Sequence, residues 1–353
     1  LIDNKHRIEA AVLNITTEEQ TRIRELYQRV LSVSAQSEFL VSGNPVQPSK
    51  LSPEQLDEMW REHRDNMASV VEGNLTSGMK RVAIAGAGRC DSFHLADLLT
   101  LANERGVEQI DLIDLNIDAL KTALEAAQAK LPGSSLSVAN GVSVLHVSPS
   151  CNCRAIGCDL TFMLPQLLDD LESDLAADLS TRVANGRDVS SAMAESTSDI
   201  IRRSLDGRKI IECDQRYDLV ISDCLITQIN SFFGVTAVAK WLPILRSNPA
   251  ADLNLAIVVH EGMLTLDHLQ TLFRLAKDDG RIVFVSDVIR IVGDQTPRPR
   301  FINRGVDASA ILRSLRPDLT IEHLYPTWQW NRSQNETENV SAASLTNQRQ
   351  DGV

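Results

Sequence analysis

The segment RVAIAGAGRCDSFHL, Arg81 to Leu95, reads as a short buried β-strand, a glycine turn and the opening of a helix. Gly86 and Gly88 fall where the strand ends, and glycine there lets the backbone bend sharply and approach a ligand with no Cβ in the way. The helix that follows offers free backbone N–H groups at its N-terminus. A ligand over this turn is the expectation, and a tight turn that binds nothing is the plain alternative. A dinucleotide fingerprint would place a third glycine at position 91, where Asp91 stands. A carboxylate at that mouth disfavours a pyrophosphate seated on the helix N-terminus.

Outward from this segment the chain alternates strand and helix patterns. SFHLADLLTLANERG is an amphipathic helix ended by Gly106, QIDLIDL a second strand, NIDALKTALEAAQAKLPG a helix with a Pro-Gly stop, and GVSVLHV a third strand. Residues 162 to 216, acidic and rich in Ser and Ala, read as a helical insertion between the third and fourth strands. YDLVISDCLI resumes the sheet, LDHLQTLFRLAKDDG makes another helix, RIVFVSDVIRI a fifth strand, and DASAILRSLRPDLTIEHLYPTW a last helix and strand. This alternation implies an α/β fold, a doubly wound, Rossmann-like parallel sheet with helices on both faces, over residues 78 to 330.

Before it, residues 1 to 77 form a helical N-terminal region. Ile23, Leu26, Tyr27, Val30 and Leu31 recur at helical spacing, and Ser52, Pro53 and Gln55 mark a second helix start. After it, residues 331 to 353 are polar and unpatterned and read as a disordered tail.

The chain has 353 residues, 43% hydrophobic and 23% charged, with a formal charge of -12 and a pI near 5.1. Such an acidic balance argues against a broad nucleic-acid or anionic-membrane surface, which needs clustered Lys and Arg. No run approaches a membrane span and no signal peptide is visible, so the reading is cytoplasmic. Six cysteines are too few for a disulfide scaffold of this size.

Asp114 ends QIDLIDL, where doubly wound sheets place an acid that accepts hydrogen bonds from ribose hydroxyls. That supports a nucleoside without choosing one; a helix N-cap or solvated strand end is the alternative. Asp111 reads as a strand-facing polar residue.

In this order VAIAGAGRCDSFHLADLL, IDLIDLNIDAL, YDLVISDCLITQI and LQTLFRLAKDDGRIVFVSDV resemble the class I S-adenosylmethionine-dependent methyltransferases, in particular a bacterial branch with a G-A-G-x-C turn. The likeness covers roughly Met79 to Ile291. It implies a methyltransferase sheet with S-adenosyl-L-methionine at its C-terminal edge and a methyl acceptor that sequence does not identify, more in keeping with a small molecule or protein than with nucleic acid. Ala85, Gly86 and Gly88 then match the glycine motif beside the methionine moiety, with Asp91 close by, and Asp114 matches the ribose acid. CDLTFML offers Asp159 for the acid after strand three, although twelve residues and a cysteine cluster separate it from VSVLHV. Ser222 and Asp223 match the end of strand four, Asp223 for acceptor positioning or proton removal and Ser222 for polar contact.

Other constellations weigh less. CNCRAIGC gathers Cys151, Cys153 and Cys158, but no second ligand pair accompanies it, so free thiols are favoured over a metal site. His260 and His268 are candidates for a base or for packing, and Tyr325 to Trp330 for an aromatic wall or for strand packing. The N-terminal helices are candidates to cap the pocket or to mediate self-association. The rival functions are a nicotinamide-dependent oxidoreductase, which requires a second mononucleotide-binding half, and a non-catalytic protein that works by association.

Overall fold

The computed structural model describes residues 16–42, 53–161, 163–173, 175–206, 216–223, 225–292, 300–303, 321–324, 328–333 and 336–346. Two helices come first, α1 (Thr17–Ser42) and α2 (Pro53–Asn74). Then follow β1 (Arg81–Ala85), α3 (Leu95–Glu104), β2 (Gln109–Asp114), α4 (Ile117–Gln128), β3 (Ser135–Ala139), β4 (Val142–Ser148) and β5 (Cys151–Gly157). Three helices, α5 (Leu164–Ser173), α6 (Leu175–Ala184) and α7 (Val189–Asp206), come next. Beyond them lie β6 (Tyr217–Asp223), α8 (Leu225–Ser247), α9 (Asn254–Leu275) and β7 (Ala276–Val292). The last described elements are β8 (Arg300–Asn303), β9 (Ile321–Leu324), β10 (Trp328–Ser333) and β11 (Glu336–Thr346).

The strands join one sheet in the order β10-β11-β7-β6-β1-β2-β5-β4-β3. Its centre, β7-β6-β1-β2-β5, is parallel. Apolar runs such as Val82–Ala85 and Leu219–Ile221 are buried on both faces, as a parallel sheet between helix layers requires. One core lies under α2, α3 and α4 around Leu99, Leu112 and Leu124; the other lies under α5 to α9 around Leu167, Phe233, Trp241 and Leu272. The fold is the doubly wound, Rossmann-like α/β arrangement. The helical N-terminal extension docks on it at two places, α2 against the first core through Met67 and Val70, and α1 against the second through Leu26 and Val30.

Two expectations are corrected. GVSVLHV is not the third parallel strand: it is β4, antiparallel to both neighbours, and the cysteine stretch CNCRAIG is the parallel strand β5. The reason lies in Asn140 and Gly141, both at positive φ (52° and 78°), which close a two-residue hairpin between Ala139 and Val142. The polar tail is not wholly disordered either. Glu336–Thr346 forms β11, antiparallel to β7 from Glu336↔Val292 to Thr346↔Arg281. A backbone ladder needs no apolar pattern, and the small Ala342, Ala343 and Ser344 fit a buried position. The last expected helix, Cys213, Cys224 and Tyr325 fall outside the described residues.

Candidate functional site

At the C-terminal edge of the parallel strands, where strand order reverses between β1 and β6, doubly wound sheets leave a crevice. Beside it lies a cleft of about 150 Å³ lined by Asp114 and Leu115 after β2, Cys158 to Thr161 after β5, Leu164 of α5, Leu225, Gln228, Ile229 and Phe232 of α8, and Tyr27 and Val30 of α1. Its walls are apolar apart from the two carboxylates and a few polar ends.

The glycine turn folds back on its own strand ends. The Gly86 and Ala87 amides donate to the Ile113 carbonyl at 2.9 and 3.4 Å, the Cys90 amide to the Ala87 carbonyl at 2.7 Å, and the Gly88 amide to Asp114 Oδ2 at 3.0 Å. Gly86 stands at φ +76°, and a Cβ there would lie 2.8 Å from Leu225 Cβ and 3.1 Å from the Asp223 carbonyl. It therefore lets the end of β6 close against the end of β1. Cys90 is buried at φ 55°, and its thiol is pushed well up by burial and then by Asp223, Asp91 and Asp114.

Asp114 is half-buried. Besides Gly88 it accepts from the Asn116 amide at 2.7 Å through Oδ1. Burial raises its carboxyl above the usual range, and the backbone donors Asn116, Gly88 and Leu115 oppose that rise. A carboxylate offers about four acceptor positions, so with three backbone donors on it Asp114 keeps about one for a ligand. Asp159 lies two residues beyond β5 and lines the same cleft. Its Oδ1 accepts from the Thr161 amide (3.0 Å) and hydroxyl (2.6 Å), and its Oδ2 from the Leu164 amide (3.0 Å), which fixes the entry into α5.

The remaining candidates stand apart from the cleft wall. Ala85 is fully buried between Ile113 and Ser222 in the ladder. Asp91 Oδ2 pairs with Arg89 Nε at 3.3 Å, and its carbonyl accepts from Arg64 Nε at 2.8 Å. Ser222 is fully buried, its hydroxyl 2.7 Å from His268 Nε2, and Asp223 is buried beside it. His260 and His268 are both buried, and burial lowers both to about 4, which leaves them neutral near pH 7. Cys151 and Cys153 are buried free thiols in β5, with Cys151 pushed up to about 11 by burial.

The structure adds site residues that the sequence reading did not single out. Tyr27 and Val30 roof the cleft, and the Tyr27 hydroxyl accepts from Asn116 Nδ2 at 2.8 Å. Helical spacing marks both as buried-face residues, but nothing local in the sequence says which surface that face meets. Among the described residues no helix is long and apolar enough to cross a membrane.

No family model matches the chain, and no curated protein matches it. Solved structures with a similar arrangement include the N-methyltransferase NodS from Bradyrhizobium japonicum WM9, at 10% identity and TM-score 0.36, covering 85% of this chain and 100% of that one. A SAM-dependent methyltransferase from Aquifex aeolicus has 10% identity and TM-score 0.38, covering 84% and 99%. A SAM-dependent methyltransferase from Methanosarcina mazei has 10% identity and TM-score 0.39, covering 80% and 98%. At such scores the likeness is one of overall arrangement and transfers no residue role.

Proposed function

We propose that this chain is an S-adenosyl-L-methionine-dependent methyltransferase. The observation that carries the reading is the state of the glycine turn: the Gly86, Ala87, Gly88 and Cys90 amides all donate within the protein, and Asp114 retains acceptor capacity beside an apolar cleft. A pyrophosphate site depends on free turn amides. Here those amides are committed, Asp91 adds a carboxylate, and the strand beyond β7 is the antiparallel β11 where a dinucleotide fold continues into a second parallel half. A nucleoside without phosphate fits these groups.

When bound, the cofactor supplies a methyl group already activated on a sulfonium. Asp114 would accept from a ribose hydroxyl, and the cleft residues Leu115, Leu160, Leu164 and Phe232 would hold the nucleoside and exclude water. Asp159 keeps the β5–α5 turn in the shape that forms the cleft wall. Ser222, tied to His268, holds the end of β6, and Asp223 positions the acceptor or takes its proton. With a formal charge of -12, the chain is better suited to a small-molecule or protein acceptor than to nucleic acid.

Calorimetric titration with S-adenosylmethionine, S-adenosylhomocysteine and NADH tests the reading. The first two bind and NADH does not; Asp114→Ala weakens them about tenfold or more, the scale of one hydrogen bond to a charged acceptor. Tight binding of NADH alone overturns the proposal. Binding of none favours a protein that acts by association.

A further inference from the structure

The corner of the sheet formed by β3, β4 and β5 carries three polar side chains in one line. The Ser137 hydroxyl lies 2.9 Å from His146 Nε2, and His146 Nδ1 lies 2.7 Å from Asn152 Oδ1. The register explains the alignment. His146 stands opposite Asn152 on β5 and opposite Ser135 on β3, so Ser137 is its diagonal neighbour on the same face. Val142 and Val144 point from that face into the second core, and His146 continues it beyond the cover. Ser137 and His146 are exposed and Asn152 is half-buried. Asn152 precedes the cleft residue Cys158 by six strand positions, which puts the trio about 20 Å from the cleft along β5.

The carboxamide sets the histidine tautomer. Asn152 presents an oxygen to Nδ1, so Nδ1 carries the proton and Nε2 is left as an acceptor. The Ser137 hydroxyl then donates to Nε2, the arrangement in which histidine serves a nucleophilic serine as base and a third group orients the ring. The backbone supplies an oxyanion donor. Asn140 and Gly141 close a two-residue hairpin, so Ala139 and Val142 exchange hydrogen bonds, and by alternation Ser137 and Val144 do so too. The Leu136 and Val138 amides therefore point away from β4, and among the described residues no other strand pairs with β3. The amide that follows a nucleophilic serine is a recurrent oxyanion donor, and here that amide belongs to Val138.

We propose that Ser137, His146 and Asn152 form a second, hydrolytic site that cleaves small aryl esters and thioesters, separate from methyl transfer. Ser137 Oγ attacks the carbonyl carbon while its proton passes to His146 Nε2, and the Val138 amide donates to the oxygen that gains charge. The acyl C–O or C–S bond then breaks, and the departing alcohol or thiol takes the proton from Nε2. Water adds to the acyl-serine, again giving a proton to Nε2; the acid leaves and that proton returns to Ser137. One oxyanion donor is worth about 10²–10³ in rate. A single donor on an open surface suits leaving groups that depart readily, and amides do not.

A serine-directed fluorophosphonate applied to the full chain, with peptide mass mapping, tests the site. Exposed Ser135, whose hydroxyl is not the one held by His146, is the internal control. The probe adds to Ser137 and not to Ser135, and the chain hydrolyses p-nitrophenyl acetate. Ser137→Ala abolishes both, and His146→Ala lowers both about tenfold or more, as loss of a general base does. Asn152→Ala lowers both severalfold and Asn152→Asp restores them, a rescue that a merely structural contact would not give. The substituted side chains lie at the surface, so the variants keep the fold, which circular dichroism checks. No adduct at Ser137, an adduct at Ser135 in its place, or ester hydrolysis that survives Ser137→Ala overturns the proposal. None of these outcomes depends on whether S-adenosylmethionine binds.

Discussion

Asp111 occupies the middle of β2 with no exposure to solvent, and four groups from neighbouring positions converge on it. Arg154 of β5 donates through Nε and NH2 at 2.7 and 2.8 Å, the Tyr217 hydroxyl of β6 at 2.7 Å, and Gln109 Nε2 at 2.8 Å. Arg81 of β1 stands 3.8 Å away and stacks on the Tyr217 ring. One carboxylate thus ties four strands, outside the cleft lining. Removing one partner of a buried pair costs about 3–5 kcal/mol; Arg154 keeps a quarter of its side chain in water, which puts Asp111→Ala near the lower end. Urea unfolding should show that loss, with S-adenosylhomocysteine affinity of the folded fraction unchanged. The sequence marked Asp111 as strand-facing, but its partners lie on three other strands and could not be read from it. Asp114, three residues on, was legible because a fold rule fixes its place at the strand end.

Among the elements, the parallel strands β1, β2, β6 and β7 were legible as apolar runs between amphipathic helices. The third was not, because two strands of similar apolar content compete for one slot. The Asn140–Gly141 pair is the deciding signal: as a tight hairpin turn it assigns GVSVLHV to an antiparallel excursion and hands the parallel position to the cysteine strand. Once that is seen, Asp159 lies directly after β5 instead of twelve residues late. Its carboxylate then organises the start of α5, so Asp159→Ala should cost about 1–2 kcal/mol, the usual loss for a helix-entry cap. Thermal unfolding reads the cost. Asp159→Asn should recover part of it, since one carboxamide oxygen still accepts.

For the molecule as a whole, burial of neutral histidines sets an acid limit. His63 is lowered to about 3, by burial and then by Arg64, and His260 and His268 are lowered to about 4 by burial. In the unfolded chain each takes up a proton near pH 6.5 that the native state refuses. Stability is therefore full above pH 6.5 and falls as pH drops, down to about 4 on account of His260 and His268 and to about 3 on account of His63. Chemical denaturation at pH 7.5, 6 and 5 should give steadily lower midpoints, and His268→Gln should flatten the slope. Asp218, lowered despite burial by Lys277 and by the Lys80 and Arg81 amides, extends the decline to more acidic pH.

The position of β11 between β7 and β10 also has a temporal side. During synthesis the ribosome delivers the long strand β7 well before residues 336–346, so one margin of β7 emerges with its ladder groups unmatched. An unmatched margin of that kind invites pairing with other chains. A chain stopped short of Glu336 lacks that partner strand, so this margin of β7 stays unmatched.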